Sequence, residues 1–361
     1  MNATRQLHDL GQSLWLDNIT RELLDEGGLA RYIDEFAVTG LTSNPTIFEK
    51  AIGGGHAYDA GIHAKTLAGK SGEALFMELA LEDLRRAADL FAPVHRATGG
   101  VDGWVSMEVS PLLADDTEGS IEAAKQIHAQ AGRPNLFVKI PGTAAGVPAI
   151  EEAVFAGVPI NVTLLFSNEQ YLAAADAWAR GVERRLEAGL DPGVASVASL
   201  FVSRWDVEVK SKVPTGLRNR LGIAVARQVY RSYRALLESP RWRRLAEAGA
   251  RPQRLLWAST GTKDPEASDT LYVEALAAPD TVDTMPENTL RAFADHGRLR
   301  GTMAADGGDA DASLAAFVQA GVDLDVLAGQ LQRDGAQAFV TSWQDLLQRI
   351  AERSAELARA G

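Results

Sequence analysis

Short apolar and β-branched runs recur along the chain and alternate with longer segments whose apolar positions follow helical spacing. Helical spacing predicts helices such as 21–36 and 168–189, and Ser167 and Gln170 at the start of the second have the spacing of a capping box. Strands that alternate with helices are typical of a parallel sheet, so the pattern predicts an α/β fold. The eight predicted strands are 13–17, 38–42, 104–109, 136–140, 159–166, 197–202, 254–259 and 281–285.

Eight strands and 361 residues suit a (β/α)8 TIM barrel, although a doubly wound sheet could also hold eight strands. Segment 46–95 is too long for one crossover and predicts a helical insertion, and 313–360 predicts C-terminal helices packed across the barrel. The Gly-, Asp- and Ala-rich segment 301–312 predicts a surface loop. We therefore expect one domain over 1–361, a single TIM barrel with inserted and C-terminal extra helices.

Charge and composition argue against several kinds of binding partner and metal site. The net charge of −12 argues against nucleic acid as a partner. The sequence contains no uninterrupted run of about 18 apolar residues, so we expect no membrane-spanning helix. The first residues lack the basic start and apolar core of a secretory signal, so we expect a cytoplasmic protein, for which a homodimer is compatible with the sequence. Without cysteine, disulfides and thiolate metal sites are excluded.

The histidines give no sign of a metal site. None falls at a predicted strand end, and His56 and His63, which lie seven residues apart, have no acidic neighbour arranged as a metal site. We interpret all of them as surface or structural residues and expect neither a metal nor another cofactor. They are His8, His56, His63, His95, His128 and His296.

Polar side chains occupy one face of several predicted strands, mostly toward the carboxyl end. Glu108, Lys139 and Asp17 are the charged members of this set. A strand of a buried parallel sheet is normally apolar on both faces, and burying a lone charge is unfavourable unless it is paired or functional. Because barrel enzymes place their chemistry at the carboxyl ends of the strands, the pattern predicts a pocket containing a lysine and two carboxylates.

A lysine in such a pocket can act as a nucleophile. Apolar neighbours favour the neutral amine, which attacks a ketone or aldehyde to give a Schiff base. The iminium stabilises a carbanion on the adjacent carbon, so carbon–carbon bonds can break or form if an acid/base group is near. Asp17 and Glu108 could divide that work. The alternative is that Lys139 forms an ion pair with one of them for structural reasons only.

The strand-end motifs resemble those of transaldolases and occur in the same order. They are LWLDNI, TGLTSNPTIF, MEVSP, LFVKIPGT, INVTLLFS and SLFVSRWD, from about 14 to 206, with WASTGTKDP and TVDTMPE continuing to about 287. The resemblance, closest to the longer bacterial type, implies a metal-independent class I aldolase barrel of the pentose phosphate pathway. Such a transferase moves a dihydroxyacetone unit from sedoheptulose 7-phosphate or fructose 6-phosphate to glyceraldehyde 3-phosphate or erythrose 4-phosphate.

The resemblance implies a catalytic role for four residues. Lys139 is similar to the lysine that forms the Schiff base with the donor ketose. Asp17 resembles the acid/base that deprotonates the C4 hydroxyl and triggers C3–C4 cleavage. Glu108 resembles the group that moves protons through a water during formation and dehydration of the carbinolamine, and Thr163 would help to hold that water.

Four further residues are implied in binding the three-carbon unit. Asn44 and Asn161 would hydrogen-bond its hydroxyls, whereas Ser199 and Phe201 resemble residues that line the pocket beside the Schiff base. For Asn44, which precedes Pro45, ordinary turn chemistry is the alternative.

The implied phosphate site includes one departure from the family pattern. Arg204 resembles a phosphate-binding arginine, whose planar guanidinium suits phosphate oxygens, and Ser259 resembles its hydroxyl partner. Many family members carry a second arginine two residues after that serine, where this chain has Gly261. Lys263 is the expected substitute cation and would act as a point charge without bidentate geometry.

Two other functions and two simpler roles stay open at this stage. A related Schiff-base aldolase would release free dihydroxyacetone without an acceptor, and a non-catalytic barrel would serve as a scaffold. Asp17 and Asn18 could end a strand and cap the next helix, and Arg204 could be a surface ion-pair residue.

Overall fold

The computed structural model describes residues 2–360, whose eight parallel strands close into a barrel in chain order, with β8 paired to β1. The predicted TIM barrel is confirmed, and each strand begins and ends within one residue of its prediction. The strands are β1 Ser13–Asp17, β2 Val38–Thr42, β3 Trp104–Glu108, β4 Leu136–Pro141, β5 Ile160–Leu165, β6 Ser196–Phe201, β7 Gln253–Ala258 and β8 Val282–Met285.

Helices surround the barrel and extend over its carboxyl-terminal end. Between β2 and β3 the chain forms α4, α5 and α6, of which α6 packs on β3. In chain order the helices are α1 Ala3–Asp9, α2 Arg21–Asp25, α3 Gly28–Phe36, α4 Pro45–Gly53, α5 Asp59–Leu67, α6 Gly72–Ala97, α7 Thr117–Ala131, α8 Gly146–Phe155, α9 Asn168–Glu187, α10 Ser203–Val209, α11 Leu221–Glu238, α12 Pro240–Glu247, α13 Leu271–Ala275, α14 Glu287–His296, α15 Ala310–Gln319 and α16 Leu324–Ala360.

Helix boundaries were predicted with mixed success. The capping box of α9 is confirmed, because Ser167 Oγ accepts from Gln170 N at 3.2 Å and Gln170 Oε1 accepts from Ser167 N at 3.3 Å. The single helix predicted over 21–36 is wrong: Gly27, with a φ of 70°, separates α2, which ends at Asp25, from α3, which begins at Gly28. The loop predicted over 301–312 ends early, because α15 begins at Ala310.

Aromatic rings fill the barrel beneath its carboxyl-terminal end. Trp104 and Phe137 stack with ring centroids 4.1 Å apart, and Trp15 lies 6.0 Å from Phe137. All three are at most 4% exposed and occupy the same strand faces as the charged residues further along each strand. This apolar layer forms a floor, so the polar side chains above it are confined to the barrel mouth.

The long helix α16 crosses the mouth and packs on the helices between β2 and β3. Trp343 meets Phe76 edge to face with centroids 5.1 Å apart, and the hydroxyls of Ser342 and Thr46 lie 2.7 Å apart. Within residues 2–360, no single helix is long and apolar enough to cross a membrane, whereas α15 and α16, bent by 92°, pass that test of length and composition as a pair.

A buried carboxyl at Asp283 makes stability depend on pH. Asp283 is fully buried, and burial raises its pKa from 3.8 to about 7. The Thr260 hydroxyl lies 2.9 Å from Asp283 Oδ1 and 2.9 Å from the Thr284 carbonyl oxygen, and its single hydrogen can satisfy only one of them. A protonated Asp283 removes the conflict, since it can itself donate to Thr260.

We expect Asp283→Asn to be more stable than the wild type at about pH 8, and the advantage to vanish near pH 4. Between the unfolded pKa and the folded pKa of about 7, the native state holds a proton that the unfolded chain has lost, so stability falls as pH rises through this window. The full difference is up to about 4 kcal/mol. Thermal unfolding at both pH values measures it, with the exposed Asp115→Asn as control. If Asp283→Asn is less stable than the wild type by the same amount at both pH values, this prediction is wrong.

Candidate active site

The carboxyl ends of the strands surround a cavity of about 120 Å³. Nine of the eleven predicted site residues line it; the other two, Glu108 and Asn161, contact lining residues from beneath. Larger cavities lie along 296–309 and at the amino-terminal end of the barrel, away from these residues. The lining residues are Asp17, Thr42, Asn44, Lys139, Thr163, Ser199, Phe201, Arg204, Ala258, Ser259, Gly261, Lys263, Thr284, Pro286 and Phe339.

Lys139 and Glu108 form a buried pair on neighbouring strands. β3 and β4 pair these residues directly, and Lys139 Nζ lies 3.3 Å from Glu108 Oε2. Nζ also donates to the Ser43 carbonyl oxygen at 3.1 Å. Burial raises the pKa of the Glu108 carboxyl, and the charge of Lys139 opposes that shift. The pair can therefore exchange a proton without leaving an isolated charge in the barrel.

Above the aromatic floor, the Glu108 carboxylate and the Thr163 hydroxyl have few polar contacts among the described residues, apart from the ion pair between Glu108 and Lys139. Among residues 2–360, neither oxygen of the Glu108 carboxylate nor Thr163 Oγ1 has a partner of good hydrogen-bond geometry. Buried polar groups are normally satisfied by protein or by an ordered water. Within the described residues, the Glu108 carboxylate is therefore held by its ion pair with Lys139 and by no further hydrogen bond of good geometry.

Asp17 stands across the cavity in a hydroxyl network that the sequence did not indicate. Its Oδ1 accepts from Thr42 Oγ1 at 2.7 Å, and the Thr42 and Thr284 hydroxyls lie 2.7 Å apart. Burial raises the pKa of Asp17, and the positive charge of Lys139 partly offsets this. A carboxylate with a raised pKa is a stronger base, which suits proton transfer near neutral pH. Both threonines stand at inward positions of their strands, the one signal that could have identified them.

The helix-capping alternative for Asp17 and Asn18 is wrong. The following helix α2 is capped by Thr20, whose hydroxyl accepts from Leu23 N at 3.0 Å. Asn18 instead donates to Glu287 Oε2 at 3.1 Å. Asp17 is therefore free of a capping role.

The two predicted asparagines occupy different layers. Asn44 caps α4 through its Oδ1, which accepts from Ile47 N at 3.1 Å, and its side chain also lines the cavity. Asn44 therefore both caps α4 and lines the cavity. Asn161 is fully buried below the cavity, where it donates to Ser106 Oγ at 3.2 Å and accepts from Ser199 Oγ at 2.7 Å. Asn161 is therefore not among the residues that line the cavity, and it contacts one of them, Ser199.

Arg204 is a largely buried cation between two aromatic rings. Its guanidinium carbon lies 5.1 Å from the Phe201 ring centroid and 5.9 Å from that of Phe339. Burial lowers its pKa, an effect that the negative charges of Glu108 and Asp17 oppose. Across the described part of the chain no carboxylate forms an ion pair with it, so the surface ion-pair alternative is wrong. An uncommitted guanidinium in a small polar cavity is suited to bind an anion.

The neighbouring loop after β7 supplies Ser259 and Lys263. Ser259 adopts a φ of 57°, an uncommon conformation for a residue with a side chain, and its hydroxyl lies 2.9 Å from that of Ser203. Lys263 is exposed at the cavity rim. The loop therefore places one hydroxyl and one solvated cation on the same cavity as Arg204.

The histidines lie away from the cavity, as their positions in the sequence indicated. Among the described residues, no group of three or more histidine, cysteine or acidic side chains is arranged to hold a metal ion. The chemistry of the donor set is that of amine, carboxylate and hydroxyl groups.

The chain is similar to proteins of one known family over most of its length. The family model described as Transaldolase/Fructose-6-phosphate aldolase matches residues 14–350. The transaldolase of Thermobifida fusca is 47% identical over 97% of this chain and 98% of its own length. The transaldolase of Parafrankia sp. is 46% identical over 97% of this chain and 98% of its own length. That of Acidothermus cellulolyticus is 45% identical over 98% of this chain and 97% of its own length. The chain therefore belongs to the transaldolase/fructose-6-phosphate aldolase family.

Proposed function

We propose that this protein is a cytoplasmic transaldolase of the pentose phosphate pathway. It transfers a dihydroxyacetone unit from fructose 6-phosphate or sedoheptulose 7-phosphate to glyceraldehyde 3-phosphate or erythrose 4-phosphate. The observation that carries the proposal is the buried contact between Lys139 and Glu108, with Asp17 on the same cavity. The relatives at 45–47% identity that are named transaldolase support it.

The reaction begins at Lys139. In its neutral form, Nζ attacks the C2 carbonyl carbon of the ketose, and the carbonyl oxygen takes up a proton to give a carbinolamine. Loss of that hydroxyl as water leaves the protonated Schiff base. Glu108, whose pKa is raised by burial, supplies and recovers these protons through a water held with Thr163.

Asp17 then breaks the carbon chain. It takes the proton of the C4 hydroxyl, the C3–C4 bond breaks, and the bonding electrons move toward the iminium nitrogen as an enamine. The C4 carbonyl leaves as an aldose phosphate, and the three-carbon unit stays bound to Lys139. The enamine carbon then attacks the carbonyl carbon of an acceptor aldehyde, and the aldehyde oxygen takes a proton from Asp17. Hydrolysis of the new Schiff base frees the ketose and restores the amine.

Arg204 would bind the substrate phosphate, so its loss should affect phosphorylated substrates selectively. We expect Arg204→Ala to raise the KM for fructose 6-phosphate about 10- to 100-fold, since a charge-assisted hydrogen bond contributes roughly 1.5–3 kcal/mol. Adduct formation with free dihydroxyacetone, which lacks a phosphate, should change little. Steady-state kinetics and borohydride trapping measure the two effects.

The matched control is Arg133→Ala, since this arginine lies on the protein surface in an ion pair with Asp89. It should leave both measurements unchanged. An equal loss with both substrates in Arg204→Ala would show that Arg204 does not act through the phosphate.

Borohydride trapping with fructose 6-phosphate, followed by peptide mass mapping, tests the proposal. A reduced three-carbon adduct on Lys139 is the expected result. Dependence of product on an added aldose phosphate then separates transfer from the aldolase reaction, which would release free dihydroxyacetone without an acceptor. Folded protein that forms no adduct with fructose 6-phosphate or sedoheptulose 7-phosphate would overturn the proposal and favour a non-catalytic scaffold.

A further inference from the structure

The side-chain amide of Gln332 joins α16 to the ends of two barrel strands. Its Nε2 donates to the Gly142 carbonyl oxygen and to the Leu164 carbonyl oxygen, both at 3.0 Å. Both amide hydrogens are thus used. The last residues that β4 and β5 pair with each other are Pro141 and Thr163, so Gln332 binds the residue that follows each of them.

The backbone at Leu164 needs support from outside the sheet. Leu164 adopts a φ of 58°, a left-handed conformation that costs roughly 1–2 kcal/mol for a residue with a side chain. The pairing of β5 with β6 shifts register between Val162 and Leu165, so the ladder is interrupted where Thr163 enters the cavity. A conformation of this kind persists only where neighbouring groups hold it, and Gln332 is one of those groups.

The next turns of α16 lie against the same structure. A Cβ atom at Gly335 would stand 3.0 Å from Leu164 Cδ2 and 2.9 Å from Arg204 Nη1, so α16 approaches both closely. Phe339, one turn further, lines the cavity beside Arg204. The amide of Gln332 is therefore the hydrogen-bonded anchor of a helix face that covers the end of β5 and the guanidinium.

We propose that Gln332 is a positioning residue for the Schiff-base reaction, an inference that rests on the proposed function. By fixing Gly142, it restrains the end of the strand that carries Lys139. By fixing Leu164, it restrains the adjacent Thr163. Its own donors point to carbonyl oxygens of the protein, so it takes no part in the chemistry.

The test compares Gln332→Ala and Gln332→Glu with the wild type. The first removes both donors, and the second keeps the size of the side chain but sets a carboxylate against two carbonyl oxygens. We expect kcat to fall about 10-fold in Gln332→Ala, as for the loss of one to two ordinary hydrogen bonds. In Gln332→Glu we expect a fall of about 100-fold, as for a displacement of reacting groups by about 1 Å. The single-turnover rate of borohydride-trapped adduct formation should fall by the same factors.

The matched controls are Gln337→Ala and Gln337→Glu, which change an exposed glutamine on the same helix. They should retain the kcat and the trapping rate of the wild type. Melting temperatures of all five proteins show whether a loss of rate reflects unfolding; α16 stays anchored by the fully buried Leu346 and by Trp343.

Each outcome decides one question. Slower adduct formation in both folded Gln332 variants supports the positioning role. A lower melting temperature with an unchanged kcat and trapping rate would reduce Gln332 to a structural residue and overturn the inference. A wild-type protein that forms no adduct would overturn the proposed function and this inference with it, whereas an active wild type with unaffected variants overturns this inference alone.

Discussion

Lys139→Met is expected to abolish turnover, with a loss of kcat of about 10⁵-fold or more, as when the nucleophile of a covalent mechanism is removed. Methionine keeps the length and apolar stem of lysine but has no amine, so no Schiff base forms. Glu108 would lose its cation, and because burial already raises the pKa of that carboxyl, it can take up a proton and remain neutral. The folded state should therefore survive.

A coupled assay of acceptor-dependent transfer measures the loss, and mass spectrometry after borohydride treatment should find no adduct. Lys125→Met, at a half-buried position of α7 away from the cavity, is the control and should behave like the wild type. An adduct that persists in Lys139→Met would place the reactive amine elsewhere. Lys263 would then be the first residue to map, because it lines the same cavity.

The barrel could be predicted closely because its strands have a strong local signal. Each is a short run of β-branched and apolar residues between helical segments, and both its identity and its length follow from neighbouring residues. The prediction of one helix over 21–36 was wrong for a reason that the spacing of apolar residues does not show. Its apolar spacing continues across Gly27, but the left-handed backbone there divides the helix in two.

Some residues of the candidate site could be predicted from the sequence and others could not. Lys139, Glu108 and Asp17 could be identified because a charge on the buried face of a strand is exceptional in any sequence. Thr42 and Thr284 were missed, since threonine is common in strands and only strand pairing shows that they meet beside Asp17.

The part played by α16 could not be predicted from local pattern. The helix α16, which begins 120 positions after Arg204, brings Phe339 to its guanidinium and Gln332 to the strand ends. Helical spacing shows which side of a helix is apolar, but the surface against which that side packs depends on the whole fold. The sequence therefore indicated the charged residues of the cavity better than the residues of α16 that pack against them.

Asp17→Asn is expected to separate the two halves of the reaction. Asparagine has nearly the same shape, and its carbonyl oxygen can still accept from the Thr42 hydroxyl, but it cannot take the proton of the C4 hydroxyl. The loss of a general base should lower kcat about 10²- to 10⁴-fold. Schiff-base formation at Lys139 does not need that proton transfer, so borohydride should trap the intact six-carbon sugar where the wild type yields a three-carbon adduct.

The mass of the reduced Lys139 peptide distinguishes these two states, and Asp34→Asn, at an exposed position of α3, should give the wild-type adduct. A three-carbon adduct formed at the wild-type rate in Asp17→Asn would show that another group accepts the proton. Glu108 is the other carboxyl whose pKa burial raises next to Lys139, and it would become the leading candidate. Absence of any adduct would instead mean that Asp17 is needed to form the Schiff base. The hydrogen bond from Thr42 to Asp17, and the contact of Thr42 with Thr284, would then be the structure to vary next.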